Sequence, residues 1–241
     1  MILNLRLKNI LMVIVYKSRD TPISKYLESS ELSNNHLFII GGDGTYLRAL
    51  SDFKEDEVPD VYAFNDGKVG FLLPLNKENF EEIYDKITNK RLKFIERTRF
   101  NLISHNKLFC NEVVIRSKEF RLNTFNIRID DFSFEIQACE MIISMPSGST
   151  GYSLSLNGPI VHVNSLILNS SAPNRCFFAP IVLPANSNIT IESQYCNGWV
   201  DGIEIEGNIF SFKEGDKYKV YVDDNFNSYS SISQIIKSLK N

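Results

Sequence analysis

Leu37 to Ile40 is an unbroken apolar run that ends at Gly41-Gly42-Asp43-Gly44-Thr45. A strand apolar on both faces must be covered on both sides, as in a parallel sheet layered with helices. Glycines at its end let backbone N–H groups turn toward a ligand with no Cβ in the way, and a helix starting there adds partial positive charge. Together they suit a phosphate group. A carboxylate inside such a loop repels phosphate unless it orients a hydroxyl or holds a metal, so Asp43 needs a chemical role. The plainer alternative is that Asp43 or Thr45 caps a helix beginning near Tyr46, with the glycines making an ordinary tight turn.

The flanking sequence repeats the alternation, with runs at Ile10 to Tyr16, Ile23 to Leu27, Thr45 to Asp52 and Val61 to Phe64, which points to a parallel α/β layer. Glu78 to Thr88 has Phe80, Ile83, Tyr84 and Ile87 at helical spacing. From about Arg97 the period becomes two. Phe125, Ile127 and Ile129 alternate with polar residues, Asp130-Asp131 makes a turn, and Phe132, Phe134 and Ile136 resume the alternation, which predicts a hairpin. Leu108 to Ile115, Ile189 to Glu192, Ile203 to Phe212 (with a turn at Gly207-Asn208) and Tyr218 to Val222 also read as strands. This divides the chain into an α/β domain over 1–96, a β-rich domain over 97–225 and a tail over 226–241. In the tail Ile232, Ile235, Ile236 and Leu239 predict an amphipathic helix that docks on the first domain.

With 241 residues, 43% of them hydrophobic, the chain can bury one large core or two modest ones. A net charge of -3 and a pI near 5.7 give no basic field, which argues against a protein that grips nucleic acid or an anionic membrane surface. Any anion is met locally. Cys110, Cys139, Cys176 and Cys196 form no Cys-x-x-Cys pair, and His36, His105 and His162 lie apart, so neither a zinc site nor a redox dithiol is indicated. No run approaches the roughly 20 apolar residues of a membrane span, and a reduced, cytoplasmic setting is expected.

Two further segments carry chemistry. Pro146 to Ser155 follows the apolar run Met141 to Met145 and sets Ser147, Ser149, Thr150, Tyr152, Ser153 and Ser155 among glycines, hydroxyls suited to a sugar and a base edge. Asn111-Glu112 opens an apolar strand, and a glutamate can accept from both hydroxyls of a vicinal diol while an asparagine donates and accepts. Taken alone, the pair is a strand edge facing water. The Gly-Gly-Asp-Gly-Thr loop matches neither the G-x-x-x-x-G-K-[ST] phosphate loop nor the G-x-G-x-x-G dinucleotide fingerprint.

Gly41 to Thr45, Asn65 to Leu72, Asn111-Glu112 and the long stretch Ile143 to Val161, in this order over most of the chain, resemble the NAD kinase family. The resemblance implies an N-terminal Rossmann-like α/β domain, a C-terminal β-sandwich-like domain, a tail returning to the first domain and a site between the two. It implies transfer of the γ-phosphoryl group of ATP, or in some members of polyphosphate, to the 2′-hydroxyl of the adenosine ribose of NAD, with a divalent metal such as Mg²⁺. It also implies a homo-oligomer, a dimer or tetramer. Residue by residue, Asp43 matches the catalytic aspartate that accepts the 2′-hydroxyl proton. Gly41, Gly42, Gly44 and Thr45 match the phosphate loop, and Gly44 and Arg48 meet the nucleotide phosphates. Phe71 matches an aromatic beside adenine, Asn111 and Glu112 the pair that holds base and ribose, and Thr150, Gly151, Tyr152, Ser153 and Ser155 the NAD-lining segment.

Three positions depart from the family pattern. Cys139 stands where an aspartate helps hold the nicotinamide end, Gln137 replaces an Arg or Lys, and Ile203 replaces a polar residue after Asp201-Gly202. Glu140, next to Cys139, is a candidate substitute for the missing acid. A lipid kinase shares Gly-Gly-Asp-Gly-Thr but has no reason to carry Asn-Glu and the hydroxyl-rich segment together. A dinucleotide sensor that binds NAD without transferring phosphate is the alternative suggested by the three departures, against which Asp43 is intact.

Overall fold

The computed structural model describes residues 2–4, 13–17, 20–28, 35–67, 70–119, 121–174 and 178–227. The chain divides into two compact units, one made of 1–97 with 217–241 and the other of 98–216. Both divisions fall inside strands, Lys93–Leu102 and Ile209–Val222. The segment 217–225 and Arg97, assigned from sequence to the β-rich domain, thus fall in the first unit. The tail helix and Ile10–Met12 lie outside the described residues.

In the first unit, strands Val13–Lys17, His36–Gly41 and Asp60–Asn65 pair in parallel, with Val13 opposite His36 and His36 opposite Asp60. Ile2–Asn4 adds an antiparallel edge, and the end of Ile209–Val222 joins the other side in parallel through Val220 and Val61. Every residue of His36–Gly41 is buried, as its unbroken apolar run requires of a parallel strand covered on both faces. Helix Asp43–Ser51 buries Tyr46, Ala49 and Leu50. Helix Phe80–Thr88 follows a short 3₁₀ turn, Lys77–Asn79, and sends Ile83 and Ile87 into a core with Phe38, Ile40, Tyr62 and Phe64. The run at Ile23 to Leu27 is a helix, Pro22–Glu28.

The second unit is a pair of antiparallel sheets. One runs in the order Ile181–Pro184, Ser165–Ser171, Glu140–Ser144, Glu112–Ser117, Cys196–Val200, Ile203–Glu206. The other includes the start of Ile209–Val222, then Ile189–Glu192, Asn123–Ile129 and Phe132–Ala138. Val113, Ile115, Met141, Ile143, Leu166 and Leu168 from the first sheet share one core with Phe125, Ile127, Ile136, Ile191, Phe210 and Phe212 from the second. The hairpin about Asp130-Asp131 pairs as its alternation predicts, Phe132 opposite Ile129 and Ala138 opposite Asn123.

Three sequence expectations are corrected. Leu108 to Ile115 is two strands, Lys107–Phe109 and Glu112–Ser117, broken at Cys110 and Asn111 because their N–H groups are taken by a side chain. Ile203–Glu206 and Ile209–Val222 do not pair across Gly207-Asn208, since they belong to opposite sheets and the connection crosses the edge of the sandwich. Tyr218 to Val222 is the continuation of one 14-residue strand. Ser165–Ser171 and Cys196–Val200 went unpredicted. Ser165–Ser171 is buried on both faces almost throughout and so lacks alternation.

Candidate active site

Strand His36–Gly41 passes into helix Asp43–Ser51 through Gly42, whose carbonyl accepts from the N–H groups of Thr45 at 2.9 Å and Tyr46 at 3.2 Å. A Cβ on Gly41 would stand 2.5 Å from Thr45 Oγ1, so this tight entry needs glycine. Gly42 and Gly44 differ, because nothing among the described residues lies within 4 Å of where their Cβ atoms would be. Packing among the described residues therefore does not require glycine at these two positions.

Asp43 is not a helix cap, because no side chain hydrogen-bonds at this cap. Its Oδ1 accepts from the Leu72 N–H at 2.8 Å and its Oδ2 from the Phe71 N–H at 3.2 Å. Arg97 grips the same loop from its carbonyl side, with Nη1 donating to Leu72 O at 2.8 Å and to the Tyr46 hydroxyl at 3.0 Å. The guanidinium also lies over the Tyr46 ring, 5.4 Å from its centroid. Gly70, at φ +68, lets the loop turn close over Asn65, whose amide carbon would be 2.4 Å from a Cβ. Asp43 is therefore held in one orientation, half-buried, with a second lone pair on each oxygen for an incoming hydroxyl. Phe71 is half-buried beside it, and Arg48 is exposed on the helix's last turn.

In the second unit the segment Pro146–Ser155 lies directly on Asn111-Glu112. A Cβ on Gly148 would stand 2.3 Å from Asn111 O, and one on Gly151 3.1 Å from Glu112 Oε2. Many of the hydroxyls that the sequence offers to a ligand are engaged in hydrogen bonds within the protein. Ser147 donates to Cys110 O, Ser149 donates to Pro146 O at 2.6 Å and accepts from the Val161 N–H at 3.1 Å, and buried Ser153 faces Asn169 Nδ2 at 3.5 Å. Thr150 reaches back to Ser147 O at 3.4 Å. Tyr152 and Ser155 are exposed. Tyr152 donates to Glu140 Oε2 at 2.6 Å, and burial together with this bond pushes its hydroxyl up to about 12.

Two oxygens here, Asn111 Oδ1 and Glu112 Oε2, are buried without a hydrogen-bond partner among the described residues. Buried acceptors are nearly always paired, and leaving one bare costs about 1–3 kcal/mol. Burial, and after it the charge of Asp201, pushes Glu112 up to about 7, opposed by the Tyr152 N–H. Both oxygens want donors, which a vicinal diol and an exocyclic amine supply. Sequence reasoning assigned no role to Arg97 or Asp201. The signals were an arginine in a strand-like run and an Asp-Gly turn, both too common to single out.

The family models match in two blocks, the ATP-NAD kinase N-terminal domain over residues 15–92 and the ATP-NAD kinase C-terminal domain over residues 110–229. The chain belongs to the NAD kinase family. It is 28% identical to the NAD kinase of Fusobacterium nucleatum, over 84% of this chain and 81% of that protein. It is 36% identical to the bifunctional NADP phosphatase/NAD kinase of Methanococcus maripaludis, over 76% of this chain, and 34% identical to the mitochondrial NADH kinase pos5 of Schizosaccharomyces pombe, over 65%. The chain spans only 34% and 43% of the lengths of those two relatives. Among solved structures, an NAD kinase from Archaeoglobus fulgidus in complex with ATP shares the fold at a TM-score of 0.77 and 21% identity, over 94% of this chain and 97% of that one. Yeast NADH kinase complexed with NADH gives 0.77 and 25% identity, over 85% and 66%. Family membership agrees with the parallel layer of the first unit and the sandwich of the second.

Proposed function

We propose that this protein is an NAD kinase that transfers the γ-phosphoryl group of ATP to the 2′-hydroxyl of the adenosine ribose of NAD, giving NADP. The observation that carries the reading is the fixed carboxylate of Asp43, held by two amides at the start of a helix entered through glycine. Phosphoryl transfer needs positioning and charge neutralisation more than a strong base, because its transition state is loose. Asp43 orients the 2′-hydroxyl and takes its proton as the bond to phosphorus forms. Gly42 and Gly44 leave the loop open to the phosphates, Gly41 and Thr45 hold its tight turn, and Arg48 adds positive charge. Asn111 and Glu112 hold base and ribose through their two unpartnered oxygens, with Phe71 against adenine and Thr150, Gly151, Tyr152 and Ser155 lining the dinucleotide. Ser153 contributes by holding the loop in shape.

A divalent ion such as Mg²⁺ belongs to this reading. Among the described residues no three His, Cys, Asp or Glu side chains converge. When bound the ion offsets phosphate charge. The reading also includes a homo-oligomer, which light scattering of the purified protein tests. No helix among the described residues is long and apolar enough to cross a membrane.

The direct test is a coupled assay with Mg²⁺, ATP and NAD, detecting NADP with an NADP-specific dehydrogenase, and with Asp43→Asn run beside the wild type. NADP from the wild type alone supports the reading. NAD binding without NADP with any phosphoryl donor replaces it with a sensor, and phosphorylation of a lipid alcohol instead of NAD replaces it with a lipid kinase.

A further inference from the structure

We propose that Asp201 is the positioning residue for Asn111 and Glu112: its carboxylate sets the direction of both side chains, so that its loss weakens NAD binding rather than slowing phosphoryl transfer. The proposal rests on the NAD kinase reading.

Three consecutive amides converge on this one side chain. Oδ2 accepts from the Cys110 N–H at 2.7 Å, and Oδ1 from the N–H groups of Asn111 at 2.8 Å and Glu112 at 3.1 Å. Successive N–H groups pointing at one anion form a nest, a bend that extended strand pairing does not allow. This is why the strand breaks at Cys110. Asp201 returns its own N–H to Glu112 O at 3.0 Å. The opposite side of the bend is held by the hydroxyl-rich segment, through Ser147 Oγ to Cys110 O and the Met145 N–H to Asn111 O at 2.8 Å. The backbone of the pair is thus gripped from both edges, while Asn111 Oδ1 and Glu112 Oε2 are left without partners.

The turn that carries Asp201 does not by itself call for an acid. Asp201 at φ +47 and Gly202 at φ +86 connect Cys196–Val200 to Ile203–Glu206 as a two-residue hairpin turn. Such turns accept asparagine at the first position as readily as aspartate. A turn-forming role alone therefore predicts a silent Asp201→Asn. Three amide donors require an acceptor-only group, whereas an asparagine has one oxygen and sets its NH₂ against at least one of them. A second buried carboxylate beside Glu112 is also costly. Burial pushes Asp201 up to about 6 against the pull of its three amides, and its charge contributes to the rise of Glu112. That cost is accounted for by what the carboxylate holds in place.

The test is steady-state kinetics of the full chain with Mg²⁺, ATP and NAD for wild type, Asp201→Asn, Glu112→Gln and the double variant. Asp201→Asn is expected to raise KM for NAD about tenfold, the size of one lost hydrogen bond to a charged group, with kcat and the KM for ATP within about twofold. In the Glu112→Gln background the same substitution should add less than about twofold, because its route to the substrate is already cut. An unchanged KM for NAD, a loss confined to kcat, or effects that multiply in the double variant would each overturn the proposal. Should Asp201→Asn fail to fold, Gly202→Ala serves, since its Cβ meets no described atom within 4 Å while its positive φ strains the turn that carries the carboxylate. It should raise KM for NAD and leave that for ATP unmoved; movement of both overturns the proposal. A wild type that makes no NADP overturns the kinase reading alone, and the positioning role is then read from the Kd for NAD by calorimetry. Absence of NAD binding overturns both.

Discussion

At the residue scale the phosphate loop separates glycines that packing requires from glycines that it does not. Gly41→Ala drives a Cβ into Thr45, so both melting temperature and turnover should fall. Gly44 lies in the first turn of helix Asp43–Ser51 with no described atom near its missing Cβ. Alanine there should raise stability by up to about 1 kcal/mol on helix propensity. If phosphate lies against that surface, the same substitution cuts kcat/KM at least tenfold. Thermal melts beside the coupled assay check the pair, and a Gly44→Ala protein with full activity would remove the loop from the site. Asp43→Asn sets its NH₂ against the Phe71 or Leu72 N–H, so its melting temperature should fall by a few degrees, while kcat drops by roughly 10²- to 10⁴-fold, the usual contribution of a positioned base. Glu112 yields a pH prediction. Without ligand both Glu112 and Asp201 hold protons more tightly folded than unfolded, so they contribute stability in acid that is lost as pH rises toward about 7. Ribose hydroxyls donate to the ionised form, so NAD binding should tighten as pH rises through about 7 and level off above it. Calorimetry in two buffers of different ionisation enthalpy should register the released proton, and Glu112→Gln should abolish the pH slope.

At the element scale, legibility followed pattern strength. Strand His36–Gly41, helix Phe80–Thr88 and the hairpin about Asp130-Asp131 were readable because one strong local pattern, respectively an apolar run, a helical period and a two-residue alternation, agreed with the tertiary environment. Asn111-Glu112 was readable as chemistry but not as geometry, since the break that aims it comes from Asp201, 89 residues away from Glu112 in the chain. The hydroxyl-rich segment was readable in the reverse sense. Its density of Ser and Thr signalled a site, yet Ser149 satisfies the loop's own Pro146 carbonyl, Ser147 ties the loop to Cys110 O, and Ser153 faces the Asn169 amide of a neighbouring strand, so these three hydroxyls are engaged within the protein. The exit of Ile203–Glu206 into the opposite sheet was not legible, because a Gly-Asn pair signals a turn and says nothing about which strand comes next.

At the scale of the whole molecule, the second unit is an insertion in the first, with the chain leaving at Arg97 and returning at Lys217. If the insert unfolds alone, the first unit must hold closed a loop of roughly 120 residues, at an entropic cost of about 4 kcal/mol. The two units should therefore unfold together. Buried Arg99 and Asp216 sit next to the two crossings, with Arg99 Nε donating to Asp216 Oδ1 at 2.8 Å and Nη2 to Oδ2 at 2.5 Å. Asp216→Asn removes a buried carboxylate charge from beside the guanidinium, and breaking a buried pair costs about 3–5 kcal/mol in comparable cases. Two probes report the units separately. Trp199, the only tryptophan, lies in the insert with Arg116 stacked 4.1 Å from its ring centroid, and the helices of seven or more residues among the described residues are all in the first unit. Tryptophan fluorescence and far-ultraviolet dichroism should thus give one coincident transition in the wild type. In Asp216→Asn both should move down together by several degrees. Fluorescence melting well below dichroism would show instead that the insert unfolds alone, and that the crossings transmit little of its stability to the α/β unit.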